Sequence, residues 1–157
     1  MSQSPAEVAR AVAAGVSRLI AGALTDEQRQ LELDNLASLY AEHTDVRHPF
    51  APLGDTPLRT RADLRRHFAG GPVRARGAEH FEAAGRVHET ADPEVVIFEF
   101  CYTGSAHGRP FTLPCIFVMR VRDGVIVESR DYADHIGFAR TFGGLDVLAA
   151  ALSVAER

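Results

Sequence analysis

Near Val73 the hydrophobic pattern changes period, and that switch limits the fold more than any other feature of the chain. Downstream, residues 81–89, 95–102, 111–121 and 125–132 are rich in β-branched and aromatic side chains and read as strands. Their connections are short: Asp92-Pro93, residues 104–110, and Arg122-Asp123-Gly124. Asp-Gly suits the positive φ angles of a primed turn, so the last of these is a tight hairpin. Consecutive strands on short connections imply an antiparallel meander. Pro114 inside the third strand removes a ladder donor and predicts a bulge or an edge position.

Upstream the period is helical. Ser4-Pro5-Ala6-Glu7 combines an N-cap serine, a first-turn proline and the glutamate of a capping box. The stripe Val8, Val12, Val16, Leu19 and Ile20 carries this helix to about Gly22. Thr25-Asp26-Glu27-Gln28 opens a second helix, whose apolar face holds Leu36, Leu39 and Tyr40 and which frays at Glu42-His43. A short strand around Val46 leads into a loop at 51–57 with two prolines and a glycine. Thr60 and Asp63 cap a third helix through Leu64 and Phe68, stopped by Gly70-Gly71-Pro72. After Gly143-Gly144, residues 145–156 have the composition of a C-terminal helix. Helices followed by a meander make an α+β fold, with residues 1–157 as a single domain. Three helices packed on a strongly curved, mainly antiparallel sheet form a cone-shaped barrel, with a pocket between the layers.

Bulk properties narrow the partners. A net charge of −4 and a pI near 6.0 provide no basic field for nucleic acid. Arg18 and Asp26 interrupt the best N-terminal apolar run, which predicts no membrane span, and the same segment lacks a signal-peptide pattern. Cys101 and Cys115 lie in apolar runs and are expected as buried free thiols in a cytoplasmic protein, a disulfide being the alternative. CxxC, HExxH and glycine-rich phosphate loops are absent, and the seven histidines show no pair at ligand spacing. No metal and no cofactor is expected.

Leu39-Tyr40-Ala41, Asp45-Val46-Arg47-His48-Pro49 and Arg61-Ala62-Asp63-Leu64 resemble strings of the nuclear-transport-factor-2-like superfamily, within it the SnoaL-like and ketosteroid-isomerase-like proteins. So do Gly108-Arg109-Pro110-Phe111, Val118-Met119-Arg120 with Asp123-Gly124, and Arg130-Asp131-Tyr132. The likeness spans almost the whole chain but specifies a superfamily rather than a reaction, since this fold hosts isomerases, cyclases, dehydratases, epoxide hydrolases and non-enzymatic domains. In ketosteroid isomerases an aspartate before the proline after the second helix is the general base, and His48 takes that position here. The positions of that family's oxyanion tyrosine and protonated aspartate fall near Leu19 and Phe117, so both donors are missing and steroid isomerisation is not expected. The resemblance also places His67 on a pocket-lining position of the third helix, and Tyr40 on that of a buttressing tyrosine. It turns Ser129 and Asp131 inward; an acid there resembles SnoaL-like cyclases and, with a histidine on the third helix, the phenazine-biosynthesis acid/base proteins. A homodimer follows from the resemblance alone.

The residues themselves keep two readings open. His48 is either a general base, since imidazole titrates near neutral pH, or a turn residue beside Pro49. The period of two puts Ser129 and Asp131 on one face of the last strand, opposite Arg130 and Tyr132. Asp131 is either an acid/base or orienting group, with its pKa raised by burial, or the partner of an arginine such as Arg130. His67 is divided between the pocket and the solvated face carrying Arg65 and Arg66. Tyr102 shares a face with Phe98 and Phe100 and is either core or a hydroxyl presented to substrate. His43, His80, His88 and His107 read as surface residues, and Glu99 as a cross-strand or dimer contact.

The expected function is a cofactor-independent acid/base enzyme (cyclase, isomerase or dehydratase) acting on a small apolar metabolite, a polyketide-like molecule being one candidate. His48 would be the base and Asp131 the acid or orienter, with His67 and Tyr102 positioning substrate. Tyr40, Phe98, Phe100, Leu113, Phe117, Ser129 and Leu19 complete the expected substrate surface. A non-catalytic binding or dimeric scaffold module is the alternative. An epoxide hydrolase ranks lower, because only Asp131 is placed inward where that chemistry uses two carboxylates and an arginine.

Overall fold

The computed structural model describes residues 2–74 and 78–155, with the side chains of 71–74 outside the description. Helices α1 (Pro5–Ile20) and α2 (Asp26–Ser38) open with complete capping boxes at Ser4/Glu7 and Thr25/Gln28, as their sequences predict. Strands β1 (Tyr40–Arg47) and β2 (Leu58–Thr60) follow, then α3 (Arg61–Arg74). The strands β3 (Ala78–Glu89), β4 (Val95–Ala106), β5 (Arg109–Arg122) and β6 (Val125–Ala133) form the meander, and α4 (His135–Thr141) and α5 (Leu145–Ala155) end it. Glu156, at the end of the expected C-terminal helix, lies outside the described residues. Five helices against a six-stranded, mainly antiparallel sheet are an α+β fold whose curvature is that of a cone-shaped barrel.

The strand order β2-β1-β6-β5-β4-β3 contains one feature absent from a simple meander: β1 lies parallel to β6. That pairing corrects the expected end of the second helix. α2 stops at Ser38, and Tyr40, expected on its apolar face, instead begins β1 opposite Ile126. Ladder bonds on both edges and the burial of Tyr40 and Val46 outweigh the helical preference of Ala41-Glu42. Thr60 and Asp63 cap α3 as expected, Asp63 N donating to Thr60 Oγ1 at 3.1 Å. The expected stop at Gly70-Gly71-Pro72 does not end that helix, which runs on to Arg74. Glycine costs only about 1 kcal/mol relative to alanine in a helix, and Leu64 and Phe68 anchor the preceding turns in the core.

The segment 104–110, expected as a connection, is mostly strand. The turn is only His107-Gly108, with φ of 54° and 70°, and Asp123-Gly124 repeats the geometry at 53° and 80°. Gly104 is no breaker here: it pairs in the ladder, and a Cβ on it would collide with the His80 carbonyl. Pro114 sits on an interior strand with no register shift beside it. In an antiparallel ladder a residue's N–H and C=O face the same neighbour. Asp134 N donates to Pro114 O at 3.2 Å, so the proline nitrogen faces the β6 side, just past the last ladder pair Cys115–Ala133. The strand is locally an edge there, and no donor is lost.

The core lies between the concave sheet face and α1–α3, with Val8, Val12 and Leu19 of α1 packed over β3 to β5. Cys115 is buried on the inner face, whereas Cys101, expected buried, is half-exposed on the outer one; both thiols are free. α5 leans on α4 and buries none of its residues.

Candidate functional site

The parallel pairing of β1 with β6 builds the site. Val46 is in register with Ser129 and Arg47 with Arg130, so the next step brings His48 beside Asp131. Val46 and Ser129 are both 0% exposed, and the period of two turns His48 and Asp131 to the same inner side. His48 Nε2 stands 3.7 Å from Asp131 Oδ2. His48's backbone forms the turn before Pro49: its N donates to Asp55 Oδ1 at 2.8 Å, and its carbonyl accepts from Ala51 N at 3.0 Å. The main chain performs the turn and leaves the imidazole for the carboxyl.

Asp131 does not pair with Arg130. That guanidinium lies on the outer face, donating to Asp45 Oδ2 at 2.8 Å and to the Asp45 carbonyl at 2.9 Å. Asp131 keeps one hydrogen-bond donor, the Ser129 hydroxyl, at 2.5 Å from Oδ1. Burial therefore dominates and pushes the carboxyl up to about 7, against the opposing Ser129 bond. The same dehydration, helped by His67 and His135, lowers His48 to about 4. Between these values the pair holds one proton, and burial keeps it on the carboxyl next to a neutral imidazole.

His67 from α3 lies over His48, ring centroids 4.9 Å apart, and its other edge meets Phe68 at 5.5 Å. It remains solvent-exposed, while His48's side chain is 17% exposed, so the two rings mark where solvent reaches the pair. Although the residue is exposed, desolvation by the protein packed around it, then His135, holds His67 below its ordinary value. His135 itself was not singled out by the sequence. It begins α4, four positions beyond Asp131, and its Nε2 is buried without a hydrogen-bond partner among the described residues. The signal that could have found it is Asp134, an N-cap aspartate placed straight after an inward-facing acid on the last strand. Burial depresses His135 as well, against the opposing charge of Asp134. Among the described residues no group of three His, Cys, Asp or Glu side chains is arranged to hold a metal ion.

Deeper in the cone, Tyr40 and Tyr102 are buried, and neither hydroxyl has a hydrogen-bond partner among the described residues. Burial first, with the Asp131 charge adding to it, holds both phenols well above the usual tyrosine value, so they stay protonated donors. Leu19, Phe98, Phe100, Leu113, Phe117 and Ser129 are buried too, but the aromatics pack on one another. Phe98 stacks on Phe100 at 4.4 Å, and Phe100 meets Phe117 at 4.8 Å and Tyr102 at 5.0 Å. This row is core at least as much as lining. Two clefts lie elsewhere, one at 2–7 and 121–124, the other at the β4–β5 hairpin.

Solved structures share this architecture. A Bacillus subtilis protein described as a candidate isomerase aligns at 25% identity and a TM-score of 0.68, over 88% of this chain and 92% of its own. A Catenulispora acidiphila protein of ketosteroid isomerase-like fold, complexed with trimethylamine, aligns at 18% identity and a TM-score of 0.61, over 87% and 92%. A phenazine biosynthesis-related protein from Pseudomonas aeruginosa aligns at 16% identity and 0.55, over 88% and 85%. No curated protein sequence matches the chain. No described helix is long and apolar enough to cross a membrane. Residues 16–129 match the SnoaL-like domain and the fold is ketosteroid isomerase-like, so the chain belongs to the SnoaL-like family.

Proposed function

We propose that the chain is an acid/base enzyme that moves a proton within a small apolar molecule, as an isomerase or cyclase without a cofactor. The observation that carries this reading is the inward His48–Asp131 pair, 3.7 Å apart, where burial favours the neutral imidazole and the protonated carboxyl. His48 Nε2 takes a proton from a carbon made acidic by an adjacent carbonyl. Asp131 gives its proton to the oxygen or carbon where charge develops, and return of the first proton to the carboxyl closes the cycle. The usual oxyanion donors are absent at Leu19 and Phe117, and the unpartnered hydroxyls of Tyr40 and Tyr102 replace them. His67 and His135 orient the substrate at the mouth. A polyketide-like substrate, a role in secondary metabolism, a cytoplasmic setting, a single domain over 1–157 and a homodimer belong to the same reading.

The mutual packing of Phe98, Phe100 and Phe117 favours a second reading, a module that binds a small ligand without chemistry. An epoxide hydrolase is disfavoured, because Arg130 engages Asp45 on the outer face and bridges no inward carboxylates. The deciding experiment incubates the protein in D2O with a panel of apolar ketones and follows C–H to C–D exchange by NMR. Exchange that disappears in His48→Ala and Asp131→Asn, both still folded by circular dichroism, supports the enzyme. Ketones recovered bound but undeuterated support the binding module.

A further inference from the structure

A cleft of about 450 Å³ separates the β4–β5 hairpin from the end of α4. Its lining includes the exposed Arg109 of β5 and Arg140 of α4 together with half-buried Phe111 and buried Leu113. Both arginines are exposed, and among the described residues neither makes an ion pair or a side-chain hydrogen bond. Most other described arginines of this acidic chain hold a carboxylate, Arg18 on Glu32 and Arg130 on Asp45 among them. Glu79, the acid nearest the hairpin tip, is already committed to Gly108 N at 2.9 Å and Ser105 Oγ at 3.1 Å. Two cations from separate elements thus share one cleft with no acid paired to them among the described residues.

The base of the cleft is apolar and continuous with the core. Phe111 packs on Phe81 at 5.6 Å and on Phe142 at 5.7 Å, and Leu113 is 1% exposed on the inner sheet face. A guanidinium presents a planar fork of donors that matches a carboxylate or phosphate. Combined with the apolar base, this selects an anionic head on an aliphatic body. We propose that the Arg109–Arg140 cleft is a binding site for a small amphiphile with a carboxylate or phosphate head. The site is independent of the His48–Asp131 pair and stands or falls separately from it.

The test titrates the full chain with octanoate, octyl phosphate, octylammonium and inorganic phosphate, following the backbone amides of 106–109, 111–113 and 140–144 by NMR. At least one octyl anion should shift these amides and weaken as salt is raised. The Arg109→Ala/Arg140→Ala variant should bind it at least tenfold more weakly, while Arg59→Ala/Arg86→Ala binds as before. The comparison of octyl anions with octylammonium uses only the native chain, so it holds even where the double variant fails to fold. Four results overturn the site: no shift with either octyl anion, equal binding of octylammonium, phosphate alone binding as tightly as the octyl anions, or unchanged binding in the double variant. Whichever octyl anion binds more tightly identifies the head group.

Discussion

Asp45 on β1 and Asp131 on β6 belong to neighbouring strands of one sheet but to opposite faces. Asp45 points outward and accepts from Arg47 Nε and Arg130 Nη2, both at 2.8 Å. Those bonds hold its carboxyl below the ordinary range. Asp131 points inward with a single hydroxyl partner, and burial lifts it to about 7. One residue type, one strand apart, is driven in opposite directions by cations and water on one side and their scarcity on the other. The outer acid is held charged by guanidiniums that tie β1 to β6. The inner acid holds its proton until the pH approaches about 7, and it is the one beside an imidazole.

The largest expected difference between the two is in turnover. Asp131→Asn and His48→Ala should each lose about 10²- to 10⁴-fold in proton exchange, the usual scale for a positioned acid or base. Asp45→Asn should leave exchange unchanged. Equal losses from Asp45→Asn and Asp131→Asn would show that both act only through the fold. The pH profile adds a second mark. The proposed mechanism uses neutral His48 and protonated Asp131, so activity should rise through about pH 4 and fall through about pH 7. A rate that instead climbs through pH 7 would reverse the assignment, making the ionised carboxylate the base.

Next in size is the pH dependence of stability. Asp131's folded pKa is raised, so its contribution is fully present below its unfolded value near 4 and is lost as pH rises towards 7. His48 is depressed, so its effect runs the other way: stability lost on acidification through about 4 and complete above its unfolded value near 6.5. The two largely cancel between these values. Asp131→Asn should remove one half, and its stability relative to the native chain should grow with pH by about 1.4 kcal/mol per unit at the steepest. Urea denaturation across pH 4 to 7 measures this. A flat difference would mean that Asp131 is as well solvated folded as unfolded.

The sequence carried the faces of β6 and the helix caps, because both depend on residues within a few positions of each other. Period two on residues 125–132 is enough to separate Asp131 from Arg130, and Ser4 with Glu7 is enough to start α1. What it could not carry was the partner of each strand. Tyr40 sits where an apolar helix face and a strand start look alike, and only the parallel ladder with β6, more than 80 residues away, decides between them. That ladder brings His48 to Asp131, so the two were legible one at a time but not as neighbours 3.7 Å apart. His135 was missed for a related reason: α4 is a seven-residue helix whose existence depends on Asp134 capping it after the sheet ends. Gly104 misled in the opposite sense, as a glycine required by close backbone approach rather than by a turn.

The smallest expected effect belongs to the outer face. Asp45→Asn removes two charge-assisted bonds from groups that remain partly solvated, side chains 30% to 38% exposed. Exposed pairs of this kind contribute roughly 0.2 to 1 kcal/mol, so a loss within that range is expected at neutral pH. Its sign with pH is opposite to that of Asp131. Asp45's folded pKa is depressed, so its stabilisation is present above the unfolded value near 4 and lost as pH falls below it. Because water and ions reach the outer pair, high salt should shrink the Asp45→Asn effect and leave that of Asp131→Asn nearly unchanged. Urea midpoints of both variants at low and high salt test this, and equal salt sensitivity would break the distinction between the two faces.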